Sequence, residues 1–458
     1  MRVKLVRRWA RLWRGLLLAC VAAAGAARAQ EELVLDVDTA VRLAMERDEQ
    51  LQMTRQDLQR ADQQVREAWS GGLPQLNASV GYTRNWRRPS QIYETRQGRQ
   101  TFTVGANNDA VGDVTLSQAL FTGGRVRSAV AAARHTRLET EQAGRAARQD
   151  VTLAVQSAFC DLLLARDLHN VRSLTLSRSR SILGQVQALR RAGRVSDYDL
   201  LRAEVQVSAF ESDSIRSDNA VHLAEVSLKN VVGLDLATPL RIAGGFRTES
   251  PLLGQQLSVL QEMGVAHRPE LQQLDRQLDA RRSQVGLARA GLFPTVGASV
   301  AGQAQFHSNA GKDVVKQEEW RKSWDTGVLV SVPVFDGMRS RAQVAQAQVD
   351  VRQTQLRRQQ TVRQVQLEVT QAWLDLREAD ERLKAQQATA QEAEKGLQVA
   401  ESRYTGGTGM QLETLDAQLA LVQARTEWAG AQRDRSMAIT RLERAVGVLG
   451  ESAAPSTP

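Results

Sequence analysis

One arrangement is written twice in this chain, and it restricts the fold more than any single residue does. Leu116 to Arg125 (LSQALFTGGR) leads into a proline-free stretch that turns at RAGR, residues 191–194, and restarts as VSDYDLLRAEVQV. Further on, WDTGVLVSVPVFDGMR leads into a second proline-free stretch to about Tyr404, which turns at TGGTG and restarts as MQLETLDAQLAL. Phe121 aligns with Phe335 and Gly193 with Gly407, both at an offset of 214 residues. Self-similarity at a fixed offset marks a repeated structural unit. Here the unit reads as strand, very long helix, turn, and helix back.

The preceding segments recur as well. Residues 36–69 read as one helix, with Val37, Val41, Ala44, Leu51, Leu58, Ala61, Val65 and Trp69 mostly three, four or seven apart. Gly71, Gly72 and Pro74 end it. HRPELQQLDRQLDARRSQVGLARAGLFP repeats that helix and its ending, Pro294 matching Pro74 at an offset of 220. After each proline comes an alternating strand pair. In the first, Leu76, Ala78, Val80, Tyr82 and Trp86 share a face, then a polar stretch with Arg87, Arg88, Arg96 and Arg99 leads to a strand ending at Phe121. In the second, Val296, Ala298, Val300 and Phe306 precede a loop (Ser308 to Lys312) and a strand through Trp324 to Val334. The offset falls from 220 to 214 between the two strands, a shortening that belongs in a surface loop.

These periods divide the chain into a first repeat, 30–232 (strand pair 74–121, helical hairpin with its tip near 191–196), and a second, 256–447 (strand pair 294–335, tip near 404–411). An irregular linker, 233–255, joins them, and a tail, 448–458, reads as disordered. Val362, Val369, Leu376 and Leu383 recur every seven residues with Val365, Ala372 and Ala379 between them. The first repeat has the same seam in Val151, Val155, Ala158, Leu162 and Ala165. A spacing of 3.5 residues specifies left-handed coiled-coil packing. About 65 helical residues make a rod of roughly 100 Å. Aromatic residues make up only 4% of the chain, which suits long helices better than an aromatic-rich core.

The first 29 residues carry seven of the basic side chains and no acid, so without them the formal charge drops from +9 to +2. The high pI is therefore no argument for nucleic acid. This segment has a basic start, an apolar run from Gly15 to Ala27 and a small-x-small site at Ala27–Ala29, the pattern of a cleaved export signal. Lipidation at Cys20 is the alternative. After cleavage Cys160 would be the one remaining cysteine, read as a small buried residue. No later apolar run reaches the roughly 18 residues of a membrane helix. Five histidines are scattered without ligand spacing, and neither a catalytic constellation, a metal site nor a phosphate-binding loop is visible. No cofactor is expected, and no enzyme activity.

Each strand is about ten residues long and alternates, as lipid-facing and lumen-facing residues of a membrane barrel do. Trp86, Trp320, Trp324, Tyr82 and Phe306 could supply interfacial aromatics. Four strands cannot close a barrel, and open edges are prohibitive in lipid. Strands in a membrane therefore require several copies, and three copies would give twelve strands. A soluble sheet capping a coiled coil is the competing reading.

The chain resembles the TolC-type outer-membrane efflux family across residues 36–447. The resemblance rests on the strand–helix junctions SQALFTGGR and SVPVFDGMR and the tips RAGRVSDYDLLRAEV and RYTGGTGMQLETLDAQ, in duplicate and in order. Phe121, Gly123, Gly124, Pro333, Phe335 and Gly337 are the junction residues. Ala119 stands where the family usually has the proline kept at Pro333. The family implies an α+β membrane protein: a homotrimer with one twelve-stranded β-barrel in the outer membrane and a long α-helical coiled-coil barrel in the periplasm. It implies an exit duct for efflux or type I secretion, whose partners are a periplasmic adaptor, an inner-membrane transporter and outer-membrane lipid. A periplasmic coiled-coil adaptor or structural protein without a pore is the alternative.

Glu413 and Asp416 lie three apart, on one face of the return helix. In a trimer they would form two rings of negative charge, which attract cations. They match the family's acidic constriction residues; acids in a first turn also stabilise the positive end of a helix. Tyr404 and Asp199 match a family pair that latches the tip, while Gly409 replaces a basic residue some relatives use there. Gly193 and Gly407 would supply the tight turns. Arg194, Val195 and Ser196, with Thr408, Gly409, Met410 and Gln411, would be the adaptor-contacting tips.

Overall fold

A computed structural model describes residues 33–95, 98–308 and 320–450. The export signal with Cys20, Arg96, loop residues 309–312 and the tail beyond Gly450 lie outside the described residues. In chain order the elements are β1 (Leu33–Leu35), α1 (Val37–Arg47), α2 (Glu49–Ser70), β2 (Gln75–Arg84), β3 (Ser90–Thr95), β4 (Gly98–Thr103) and β5 (Asn108–Phe121). Then come α3 (Arg125–Arg191), α4 (Asp197–Val232), β6 (Leu240–Ile242), α5 (Leu257–His267), α6 (Pro269–Arg289), β7 (Thr295–Ser308), β8 (Arg321–Ser331), α7 (Arg339–Thr405) and α8 (Gln411–Val446). The duplication extends to helix length. Helices α3 and α7 both have 67 residues, and α4 and α8 both have 36.

The helix expected over 36–69 is two helices. Asp48 leaves the helical region at φ −58°, ψ 126°, and its carboxylate caps the next helix by accepting from the Leu51 amide at 2.8 Å. The second repeat breaks at the matching residue, Arg268, with φ −59° and ψ 120°. There the cause is Pro269, whose ring disfavours helical backbone in the residue before it. Two different residues thus impose one geometry.

The chain forms two compact units. Among the described residues, the first contains those up to Met53, from 145 to 268 and from 363 on; the second contains those from 54 to 144 and from 269 to 362. In the first unit, Leu35, Val41, Leu51, Val155, Phe159, Leu162, Leu228 and Val232 form one apolar core. Along α7 the seam residues Val365, Val369, Ala372, Leu376 and Ala379 are buried, Val362 and Leu383 are half-buried, and Ala390 and Leu397 continue the buried line.

The linker is less irregular than its composition suggested. Strand β6 pairs in parallel with β1, Leu240 opposite Leu33. Beyond it, Arg247 forks onto Glu443 of α8 with two bonds of 2.6 and 2.8 Å, and Ser250 adds a third at 2.7 Å. The tail also begins packed, with Leu449 only 3% exposed.

The second unit holds a four-stranded antiparallel sheet in the order β2-β5-β7-β8. The stretch between β2 and β5 is a hairpin of its own, β3 against β4, rather than a loop. Six-residue strands of mostly polar residues give no periodic signal, so the sequence did not show it. The register aligns the faces. Leu76, Leu116 and Val300 lie side by side, as do Ala78, Val114, Gly302 and Trp324. Asn77, Ser79, Asp113, Gln303 and Asp325 lie on the other face. Leu329 is an apolar exception there. Among the described residues no helix is long and apolar enough to cross a membrane.

Each strand reaches its long helix through a pair of left-handed residues. Gly123 and Gly124 have φ of 62° and 86°, and Gly337 and Met338 both have 67°. A Cβ at Gly123 would come within 2.8 Å of the Ala290 carbonyl oxygen and of Phe293 Cβ, so this position is closed to any side chain. The helix starts are capped alike. Thr122 accepts from the Val126 amide at 3.4 Å, and Asp336 from the equivalent Ser340 amide at 2.9 Å. Phe121, Pro333 and Phe335 flank these turns, and both phenylalanines are exposed.

Candidate functional site

The two helix turns at the ends of α3 and α7 lie in the first unit and are built the same way. Gly193 takes φ 71°; its amide donates to Arg190 O at 3.0 Å, and the Arg194 amide donates to Leu189 O at 2.9 Å. Gly407 takes φ 74°, with its amide on Tyr404 O at 3.1 Å and the Thr408 amide on Arg403 O at 2.9 Å. These are the paired bonds of a Schellman ending, which needs a left-handed residue at that position. At the second turn Gly409 is also required, since a Cβ there would lie 2.9 Å from Arg403 Cβ.

Arg194 and Ser196 are exposed on the first turn and Val195 is half-buried; Thr408 is exposed on the second, with Gly409 half-buried and Met410 69% exposed. Gln411 differs from the expectation. It is buried, and its Nε2 donates to Asp199 O at 3.4 Å, so it holds one return helix to the other.

Glu413 and Asp416 are both exposed on α8, three residues apart on one face. The opposite face of the same segment is buried and polar. Thr414 is 2% and Gln418 3% exposed, and Gln418 Nε2 donates to Ser179 Oγ at 2.7 Å. The oxygens Gln411 Oε1 and Gln418 Oε1 are buried without partners. This polar seam was missed in the sequence, although Gln411 and Gln418 are seven apart, the spacing at which a buried polar residue fixes coiled-coil register.

Asp199 and Tyr404 are neighbours without a bond between them. The Asp199 carboxylate accepts from the Ser196 amide at 3.1 Å and from Ser196 Oγ at 2.7 Å, a capping box. The Tyr404 hydroxyl is buried with no hydrogen-bond partner. Burial, and then the nearby Asp199 charge, raise the phenol above its ordinary pKa. In the same unit, burial also raises the Cys160 thiol, whose sulfur lies 3.4 Å from Ser436 Oγ. Among the described residues no group of side chains could hold a metal ion.

A duplicated strand pair with one apolar and one polar face, joined to long helical hairpins with acids near one tip, defines a class: a subunit of an outer-membrane duct. The family model described as "Outer membrane efflux protein" matches residues 40–234 and 262–448. The chain belongs to that family, whose members are outer-membrane efflux channels and so transporters. It is 26% identical to Protein CyaE of Bordetella pertussis, over 86% of this chain and 83% of that one. It is also 26% identical to outer membrane protein OprJ of Pseudomonas aeruginosa, over 89% and 83%. Alkaline protease secretion protein AprF of the same organism is 24% identical over 90% and 84%. The fold matches the crystal structure of CusC with a TM-score of 0.73 at 20% identity, over 91% of this chain and 93% of that one. It matches VceC of Vibrio cholerae with 0.73 at 18%, over 90% and 96%.

Proposed function

We propose that three copies of this chain close into one channel, the exit duct of a tripartite efflux or type I secretion assembly. The observation that carries this is the open four-stranded sheet. Its outer strands, β2 and β8, are exposed along their whole length. Unpaired strand edges cannot persist in lipid. The order β2-β5-β7-β8 makes the two edges run in opposite directions, so β8 of one copy can pair antiparallel with β2 of the next. Two copies would make about eight strands, a barrel whose interior side chains fill it. Three is the smallest ring that leaves a passage. Exposed Leu201, Val205 and Ile215 on α4, and Leu356, Leu367 and Leu374 on α7, give the helices apolar surface to pack between copies.

In that ring Glu413 and Asp416 form the constriction, and the tips meet a periplasmic adaptor bound to an inner-membrane transporter. Relatives named for toluene efflux, protease secretion and pyoverdine export support both transport modes. Tyr404 latches the tip when Asp199 exchanges its Ser196 bonds for the phenol. The test is a set of single cysteines along β2 combined with one in β8. The two strands lie at opposite edges of one sheet, so oxidation should produce only intermolecular bonds, in a ladder that stops at three copies. A ladder that stops at two, or no crosslink in folded protein, would overturn the ring.

A further inference from the structure

The four-stranded sheet sorts its charges by face. Asp109, Asp113 and Asp325 lie on the polar face. The apolar face carries no carboxylate among the described residues of these strands, and it carries two cations, Arg84 and Lys322. Both are exposed, and neither has a carboxylate partner among the described residues.

Counted from the helix-side ends of their strands, their positions agree; the register sets Lys322 on the rung of Val80, four residues from Arg84, the stagger that strand tilt introduces across a barrel sheet. Arg84 is nine residues along β2 from Gln75, and Lys322 is nine residues back along β8 from Ser331. Gln75 and Ser331 are the ends that lead to the helices. Nine steps cover about 30 Å of strand, or roughly 23 Å of height at a tilt of about 40°. That is close to the thickness of a barrel's apolar band, about 25 Å. Both cations therefore reach the band edge farther from the helices, in the leaflet that faces the exterior.

Aromatic side chains mark the same edge. The Arg84 guanidinium lies 4.4 Å from the centre of the Trp86 ring, and Trp86 is 86% exposed. Phe306 and Trp320 stack with centroids 5.6 Å apart. The Trp324 ring lies flat over Gly302, where a Cβ would come within 2.7 Å of it. Phe306 is itself buried; exposed rings such as Trp86 and Trp324 settle at the headgroup level of a bilayer.

We propose that this rim binds phosphate-bearing lipid headgroups of the outer leaflet, with Arg84 and Lys322 as the contacts. A guanidinium braced on an indole can fork onto phosphate oxygens, and an ammonium adds a point charge beside it. A headgroup without negative charge gives neither cation an ionic partner. The two cations stand on the two edge strands, so in the ring of copies Arg84 of one chain and Lys322 of the next share a seam. That refinement rests on the ring reading; binding to either edge alone does not.

The experiment is native mass spectrometry of the full chain, purified in neutral detergent and titrated with bisphosphorylated lipid A, with its dephosphorylated form, or with inorganic phosphate as competitor. Bisphosphorylated lipid A should be retained, and each cation removed, by Arg84→Gln or Lys322→Gln, should weaken binding about fivefold. Arg84→Lys should keep most of it. Arg321→Gln, next in sequence but on the polar face, should leave binding unchanged. Equal retention of dephosphorylated lipid, an equal loss in Arg321→Gln, or displacement by inorganic phosphate at matched concentration would overturn the proposal. The same spectra give the number of copies, so a failed ring and a failed lipid site are distinguished. Unaltered channel conductance in the double variant shows that it has folded.

Discussion

At the scale of single residues, the junction pair is the plainest case of geometry overruling residue preference. Met338 holds a left-handed φ of 67° that its counterpart Gly124 adopts freely. A non-glycine residue there costs about 1–2 kcal/mol, part of which glycine returns through its looser unfolded chain. Met338→Gly should therefore stabilise the protein by up to about 1 kcal/mol, read as a rise in the denaturant midpoint. Tyr404 gives a pH prediction. Burial, and then Asp199, favour the neutral phenol, so the folded tip binds that proton more tightly than the unfolded chain does. That stabilisation is complete below the ordinary phenol pKa of about 10 and is lost as pH rises through the folded value. Conductance should rise in alkaline solution, and Tyr404→Phe should remove that pH dependence. At neutral pH the same variant should conduct more if the phenol latches the tip; an unaltered closed state would argue against the latch.

At the scale of elements, the strap from β6 to α5 is tied to α8 by one charged cluster. Glu443 is 7% exposed at its side chain, while Arg247 is 38% exposed. Removing one partner of a buried pair costs about 3–5 kcal/mol, and the exposure of Arg247 reduces that to roughly 2. Glu443→Ala should destabilise the first unit by about that much and speed proteolysis of residues 243–255; unchanged proteolysis would mean the strap is held elsewhere. Little of this strap was legible in the sequence. Its strand is three residues long and pairs with another three-residue strand more than 200 positions away, too short for either to show a period. The long helices were legible because the heptad spacing repeats over many turns, from Val365 to Leu397. The break at Asp48 was hidden because apolar periodicity continues across it; the Arg268–Pro269 step was the available signal. The acids at 413 and 416 could be placed on one face by spacing alone. The buried side of that segment could not, because polar Gln411, Thr414 and Gln418 do not look like a core.

At the scale of the whole molecule, the proposed ring makes the duplicated unit a channel only in several copies. In that ring, two exposed acids per chain would become repeated rings of like charge. Glu413→Ala with Asp416→Ala should lower cation preference, seen as a shift of reversal potential in a salt gradient. An unchanged potential would remove both residues from the constriction.

The two strand–helix junctions share their backbone torsions but not their residues: Thr-Gly-Gly at 122–124 and Asp-Gly-Met at 336–338. The two turns differ in every side chain except one glycine, while both bends use a pair of left-handed residues. The junctions are thus interchangeable parts, and a chain carrying the first tripeptide in both places should still assemble.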